Sequence, residues 1–79
     1  MSTQEDLQSV RRALQEGRLS VLDTTTGYHR SMYATCPGDG SRAPVYRTTR
    51  LGGVIAEVVF RCPVCGKRFV AQPEQIHLA

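Results

Sequence analysis

Cys62-Pro63-Val64-Cys65-Gly66 decides how the rest of this 79-residue chain is read. Two cysteines separated by two residues can grip one metal ion, because the turn between them aims both sulfurs the same way and points backbone amides at them. Glycine after the second cysteine permits the positive φ that such a turn needs, and the ring of Pro63 fixes its own φ in the first half. Redox dithiols share the spacing, but they place the pair at the N-terminus of a helix after a strand. Here the flanks on both sides read as strand. Metal binding is therefore the expectation.

Two thiolates do not close a tetrahedral site. Cys36-Pro37-Gly38-Asp39-Gly40 repeats the five-residue pattern, with aspartate where the second cysteine would stand. The 25 residues between Cys36 and Cys62 include a candidate hairpin, a layout that sets the two loops side by side at one end of a sheet. In this the chain resembles a zinc ribbon, whose two "Cys-Pro-x-Cys-Gly" knuckles on β-hairpins hold one zinc ion. The resemblance covers residues 36–66. It implies that Cys36, Cys62 and Cys65 are zinc ligands and that Asp39 falls on the fourth position.

The residues themselves leave that fourth donor open. Zinc accepts a carboxylate oxygen at about 2.0–2.2 Å, although structural sites are mostly built from cysteine and histidine. His29, seven residues before Cys36, or His77 near the end of the chain would make a Cys3His set instead. Water in the fourth position, or a site without metal, are the remaining alternatives. Iron of the rubredoxin kind takes four thiolates, so zinc is the expected cofactor. A catalytic zinc is not expected, since no His-x-Glu motif supplies a general base. Glu57, between Ala56 and Val58, reads as a solvent-facing charge in mid-strand.

Outward from the knuckles the pattern is mostly β. Val45 to Leu51 and Val54 to Arg61 are β-branched runs joined by Gly52-Gly53, a two-residue hairpin signal. Lys67 to Ala71 reads as a short strand, ended by Pro73, and the last six residues as a helical turn or a fraying end. Before the first knuckle, Leu19 to Leu22 and Tyr28 to Thr35 alternate with a period of two, separated by the turn Thr24-Thr25-Thr26-Gly27. At the N-terminus, Ser2-Thr3-Gln4-Glu5 has the form of a capping box. Leu7, Val10 and Leu14 then recur at helical spacing, and Gly17 suits a left-handed helix end. A helix over roughly 3–16 follows, whose narrow apolar stripe must dock on a sheet or on a partner. The expected fold is a small α+β single domain. Residues 1–17 form an N-terminal helix, and residues 18–79 a β-rich, zinc-ribbon-like antiparallel sheet.

Composition agrees with that economy. With five aromatic residues and no tryptophan, the core is small, and domains of this size usually need a metal, disulfides or oligomerisation for more than ~3–5 kcal/mol of stability. Length alone excludes barrel and dinucleotide-binding enzymes. The polar, acidic start is unlike a signal peptide and no apolar run approaches the ~18 residues of a membrane span. A cytoplasmic protein without membrane contact is expected, its three cysteines reduced or metal-bound.

Net charge is +3, unevenly spread. Residues 1–27 carry three arginines against four carboxylates; residues 28–79 carry seven basic residues against Asp39, Glu57 and Glu74, a balance of +4. Arg42, Arg47, Arg50, Arg61, Lys67 and Arg68 crowd around the hairpin and knuckles, interleaved with Tyr46, Phe60 and Phe69. Basic side chains beside aromatics suit nucleic acid, through phosphate pairing and base stacking. The bland reading is a solvated face over a small core. The functional expectation is a non-catalytic accessory module for nucleic acid or a nucleic-acid-handling complex, with no small-molecule substrate. The alternative is a protein–protein adaptor docked through Leu7, Val10 and Leu14 of the helix.

Overall fold

The computed structural model describes residues 4–79, so the capping box, which rests on Ser2, lies outside the described residues. Helix α1 (Gln4–Gln15) is followed by six strands: β1 (Ser20–Leu22), β2 (His29–Thr35), β3 (Arg42–Leu51), β4 (Val54–Arg61), β5 (Arg68–Val70) and β6 (Ile76–Leu78). They form one antiparallel sheet in the order β1-β2-β3-β4-β5, with β6 paired to β2. This is the small α+β fold that the alternating pattern anticipates.

Helix α1 ends where Gly17 reaches φ +73°. The Gly17 amide donates to the Leu14 carbonyl at 3.2 Å and the Arg18 amide to the Ala13 carbonyl at 2.8 Å, a Schellman closure that satisfies carbonyls otherwise left without donors. Glycine is needed here for a second reason. A Cβ at Gly17 would meet the Gly53 carbonyl oxygen at 2.7 Å and Arg50 Nη1 at 2.8 Å, so the helix end sits directly on the hairpin tip. Val10, Ala13 and Leu14 turn inward and are buried, packing the helix on β6, β4 and β1. The stripe that had to dock thus docks on the chain's own sheet.

Gly52 and Gly53, at φ +60° and +82°, make the tight turn of the β3–β4 hairpin, where both central residues need positive φ. The hairpin is not regular. Its register steps between Val45 and Arg47 and again between Thr49 and Arg50, so Tyr46 on β3 and Ala56 on β4 are bulged residues without a partner. The second bulge decides which face is buried. An unbroken alternation from Ile55 would drive Glu57 into the core; the extra residue shifts the phase, so Ile55, Val58 and Phe60 point inward and Glu57 outward. Phe60 is fully buried and its ring stacks on Phe69 of β5, centroids 6.0 Å apart.

The end of the chain corrects the sequence reading. Residues 73–75 do form a single 3-10 turn, but Ile76–Leu78 is neither helical nor frayed. It is strand β6, opposite Met32 to Ala34 of β2, with Ile76 and Leu78 buried. Arg30 of β2 fastens it: its guanidinium donates to the carbonyls of Ala79 (3.0 Å) and Leu78 (3.2 Å) and reaches Asp6 of the helix at 3.5 Å. No helix in the described residues is long and apolar enough to cross a membrane.

Candidate metal centre

The chain leaves β2 at Thr35 and β4 at Arg61, and each time it enters the same turn. In the first, the Gly40 amide donates to the Cys36 carbonyl and the Cys36 amide to the Ser41 carbonyl, both at 2.9 Å. In the second, the Gly66 amide donates to the Cys62 carbonyl at 2.8 Å and the Cys62 amide to the Lys67 carbonyl at 2.9 Å. The glycines that finish the turns adopt φ +77° and +76°. Cys-Pro-Gly-Asp-Gly and Cys-Pro-Val-Cys-Gly are therefore one backbone motif built twice.

Because the β3–β4 hairpin brings the turns together, their donors converge. Cys36 Sγ, an Asp39 carboxylate oxygen, Cys62 Sγ and Cys65 Sγ all lie within 4.8 Å of one another. Cys36 Sγ is 3.7 Å from Cys65 Sγ, and Cys62 Sγ is 3.5 Å from Asp39 Oδ2. These four groups could hold one metal ion. The first cysteine of each turn is buried, whereas Asp39 and Cys65 occupy exposed corners. That placement suits a carboxylate, which costs far less to ionise at an exposed corner than at a buried one.

Backbone amides prepare the donors for a cation. Asp39 Oδ1 accepts from the Ser41 amide at 2.8 Å, and this bond holds the carboxyl below its ordinary value. At the equivalent place in the second turn the Lys67 amide is hydrogen-bonded to Cys65 and lowers that thiol in the same way. The Gly38 amide donates to Cys36 Sγ at 3.4 Å. Cys62 differs. The Cys65 amide pulls its thiol down, but burial and the neighbouring Cys65 and Cys36 thiols outweigh that pull, and the group lies above the usual cysteine value.

Neither histidine belongs to the cluster. His29 is exposed at the far end of β2, about 23 Å from Cys36 along an extended strand, and His77 stacks on Tyr33 with ring centroids 5.4 Å apart. Asp39, not an imidazole, is what the fold brings to the fourth corner. The six basic residues singled out from sequence are all exposed, but they do not form one patch. Arg47, Arg61 and Arg68 share the face of the sheet opposite the core, and Lys67 precedes Arg68 at the end of the second turn. Arg50 instead donates to the Gly17 carbonyl at 3.0 Å, and Arg42 lies over the Tyr33 ring at 4.6 Å. Sequence reasoning missed Arg30 as a structural clamp and Tyr46 as a bulge. Neither leaves a signal in a linear pattern. Of the adaptor's contact residues, Val10 and Leu14 are buried and Leu7 half-buried. Comparison with family models, curated proteins and solved structures returns no match.

Proposed function

We propose that Cys36, Asp39, Cys62 and Cys65 hold one structural zinc ion, and that the resulting zinc-ribbon-like protein is a non-catalytic module that binds nucleic acid. The observation that carries the metal reading is the donor geometry. A tetrahedral zinc with Zn–S near 2.3 Å and Zn–O near 2.0 Å needs S···S edges of about 3.8 Å and S···O edges of about 3.5 Å. Two of the six separations in the cluster, 3.7 Å between Cys36 and Cys65 and 3.5 Å between Cys62 and Asp39, match those edges, and all four donors lie within 4.8 Å of one another. Three thiolates favour zinc over magnesium or calcium, which take oxygen ligands, and the single carboxylate disfavours a four-thiolate iron site.

A structural role follows from the donor count. Four protein ligands leave no open position for a water or substrate, and no histidine or second carboxylate belongs to the cluster as a proton carrier. Zinc in such sites contributes an apparent ~10–16 kcal/mol in finger peptides at neutral pH, more than a core with two phenylalanines supplies. The nucleic-acid reading rests on the basic balance of residues 28–79 and the exposed arginines. The rival adaptor loses its contact face, because Val10 and Leu14 are spent on the chain's own core.

Metal analysis by mass spectrometry on the full chain, purified without chelator, tests the reading. One zinc per chain, with loss of the β spectrum on chelation, is expected. A folded chain with a stoichiometry near zero overturns it.

A further inference from the structure

Register places a specific set of side chains on the outer face of β3-β4-β5. Residues directly opposite in an antiparallel pair share a face, and successive residues alternate. Arg61 of β4 lies opposite Arg68 of β5, Val59 lies opposite both Val70 and Arg47, and Thr49 lies opposite Glu57. This face is turned away from the Phe60–Phe69 core. The Tyr46 bulge joins it: the Arg68 guanidinium lies 5.0 Å from the Tyr46 ring centroid and donates to its hydroxyl at 3.4 Å. The tyrosine stays 47% exposed, enough for a second planar group to stack beside it.

The electrostatics of this face are unusual. Like charges directly opposite across an antiparallel pair destabilise it, yet Arg61 and Arg68 stand opposite each other. Among the described residues no carboxylate lies within ion-pair distance of Arg47, Arg61 or Arg68. Elsewhere Arg11 pairs with Glu74, Arg18 with Glu16 and Arg30 with Asp6, while Arg50 donates to Gly17 and Arg42 lies over the Tyr33 ring. Three cations without a carboxylate partner thus share one face with the half-exposed Tyr46 ring, where a ligand that brings negative charge and a planar group is complementary.

From this juxtaposition we propose that the outer face of β3-β4-β5 binds unpaired, single-stranded nucleic acid, with Arg47, Arg61 and Arg68 on the phosphates and Tyr46, backed by Arg68, stacking a base. The proposal rests on the nucleic-acid reading above and narrows it to a surface and a strandedness. Stacking on a protein ring requires a base free of its own duplex neighbours, which single strands and loops supply. Duplex readers insert a helix or a two-stranded ribbon into a groove. Here the face is three strands wide, about 10 Å between its outer strands, and the helix packs elsewhere, which suits a few nucleotides of one strand.

The test is fluorescence anisotropy of the full zinc-loaded chain with labelled 12-nucleotide oligo-dT, oligo-U and a mixed-sequence duplex, from 50 to 300 mM salt. Single strands should bind at least tenfold tighter than the duplex, with a log–log salt slope of about −2 for three phosphate contacts. Tyr46→Ala should weaken binding about tenfold and leave the slope unchanged, whereas Arg61→Ala should reduce the slope by about 0.7. Arg42→Ala, on the Tyr33 side, should leave both unchanged; zinc content and the β spectrum report that each variant is folded. Equal binding of duplex and single strand, or an Arg42→Ala loss matching that of Arg61→Ala, overturns this surface while the wider nucleic-acid reading stands. No binding to any of the three probes at 50 mM salt overturns both.

Discussion

Cys36–Gly40 and Cys62–Gly66 share their backbone hydrogen bonds, the left-handed φ of their last glycine and the burial of their first cysteine, yet one presents a carboxylate and the other a thiol. The comparison separates where the donors stand from which atoms they are. Backbone hydrogen bonding and glycine fix where the donors stand. The amide two residues beyond the outer donor favours whichever anion stands there, Ser41 for Asp39 and Lys67 for Cys65. A change of donor at the exposed corner should therefore leave the turn intact and alter the strength and proton dependence of the proposed metal binding.

The largest effect should fall on the buried first cysteines. Cys36→Ser and Cys62→Ser should each release the metal and unfold the chain, forfeiting much of the ~10–16 kcal/mol apparent contribution of a structural zinc. Thermal melts with metal analysis read this, and a Cys36→Ser chain that keeps zinc while Cys62→Ser loses it would break the equivalence of the two turns. A smaller, matched cost is expected at Gly40→Ala and Gly66→Ala. Beyond the adjoining residues no atom lies within 4 Å of a Cβ at either site, so only the left-handed backbone is penalised, by about 1–2 kcal/mol in each case. Gly17→Ala should cost more in the same melts, because there the new carbon also strikes the hairpin tip.

Donor exchange sharpens the contrast between the corners. Asp39→Cys, which completes a four-thiolate set, should tighten zinc binding by about tenfold, or ~1.4 kcal/mol, in competition with a chromophoric chelator. Cys65→Asp should weaken it in the opposite sense. Proton dependence gives the finest distinction. Asp39, held below the ordinary carboxylate value, is already ionised at neutral pH and has no proton to release on metal binding. Zinc affinity should rise with pH by up to about three decades per unit below the thiol pKa values, one for each cysteine, and Asp39→Cys should raise that limit to about four. Equal slopes for the two proteins would contradict an Asp39 ligand.

What was legible in the sequence, and what was not, follows the range of the interactions. Gly52-Gly53 and Gly17 announce themselves because a positive φ is a local demand that glycine meets most cheaply. The two turns were visible as a repeated pentapeptide, and the hairpin between them implied that they meet. The bulges at Tyr46 and Ala56 carry no local signature, since the partner strand creates them. Strand β6 was lost because Ile76-His77-Leu78 is too short for its alternation to register; it is made by burial on β2 and by the grip of Arg30. The choice among Asp39, His29 and His77 was open until the strands were paired, because it turns on which end of β2 and which face of β6 each histidine occupies.

X-ray absorption at the zinc edge, on the full chain purified without chelator, tests the central claim most directly. The account predicts one zinc per chain with three sulfurs at about 2.3 Å and a single oxygen at about 2.0–2.2 Å. A shell of three sulfurs and one imidazole nitrogen, or a folded chain without zinc, would contradict it.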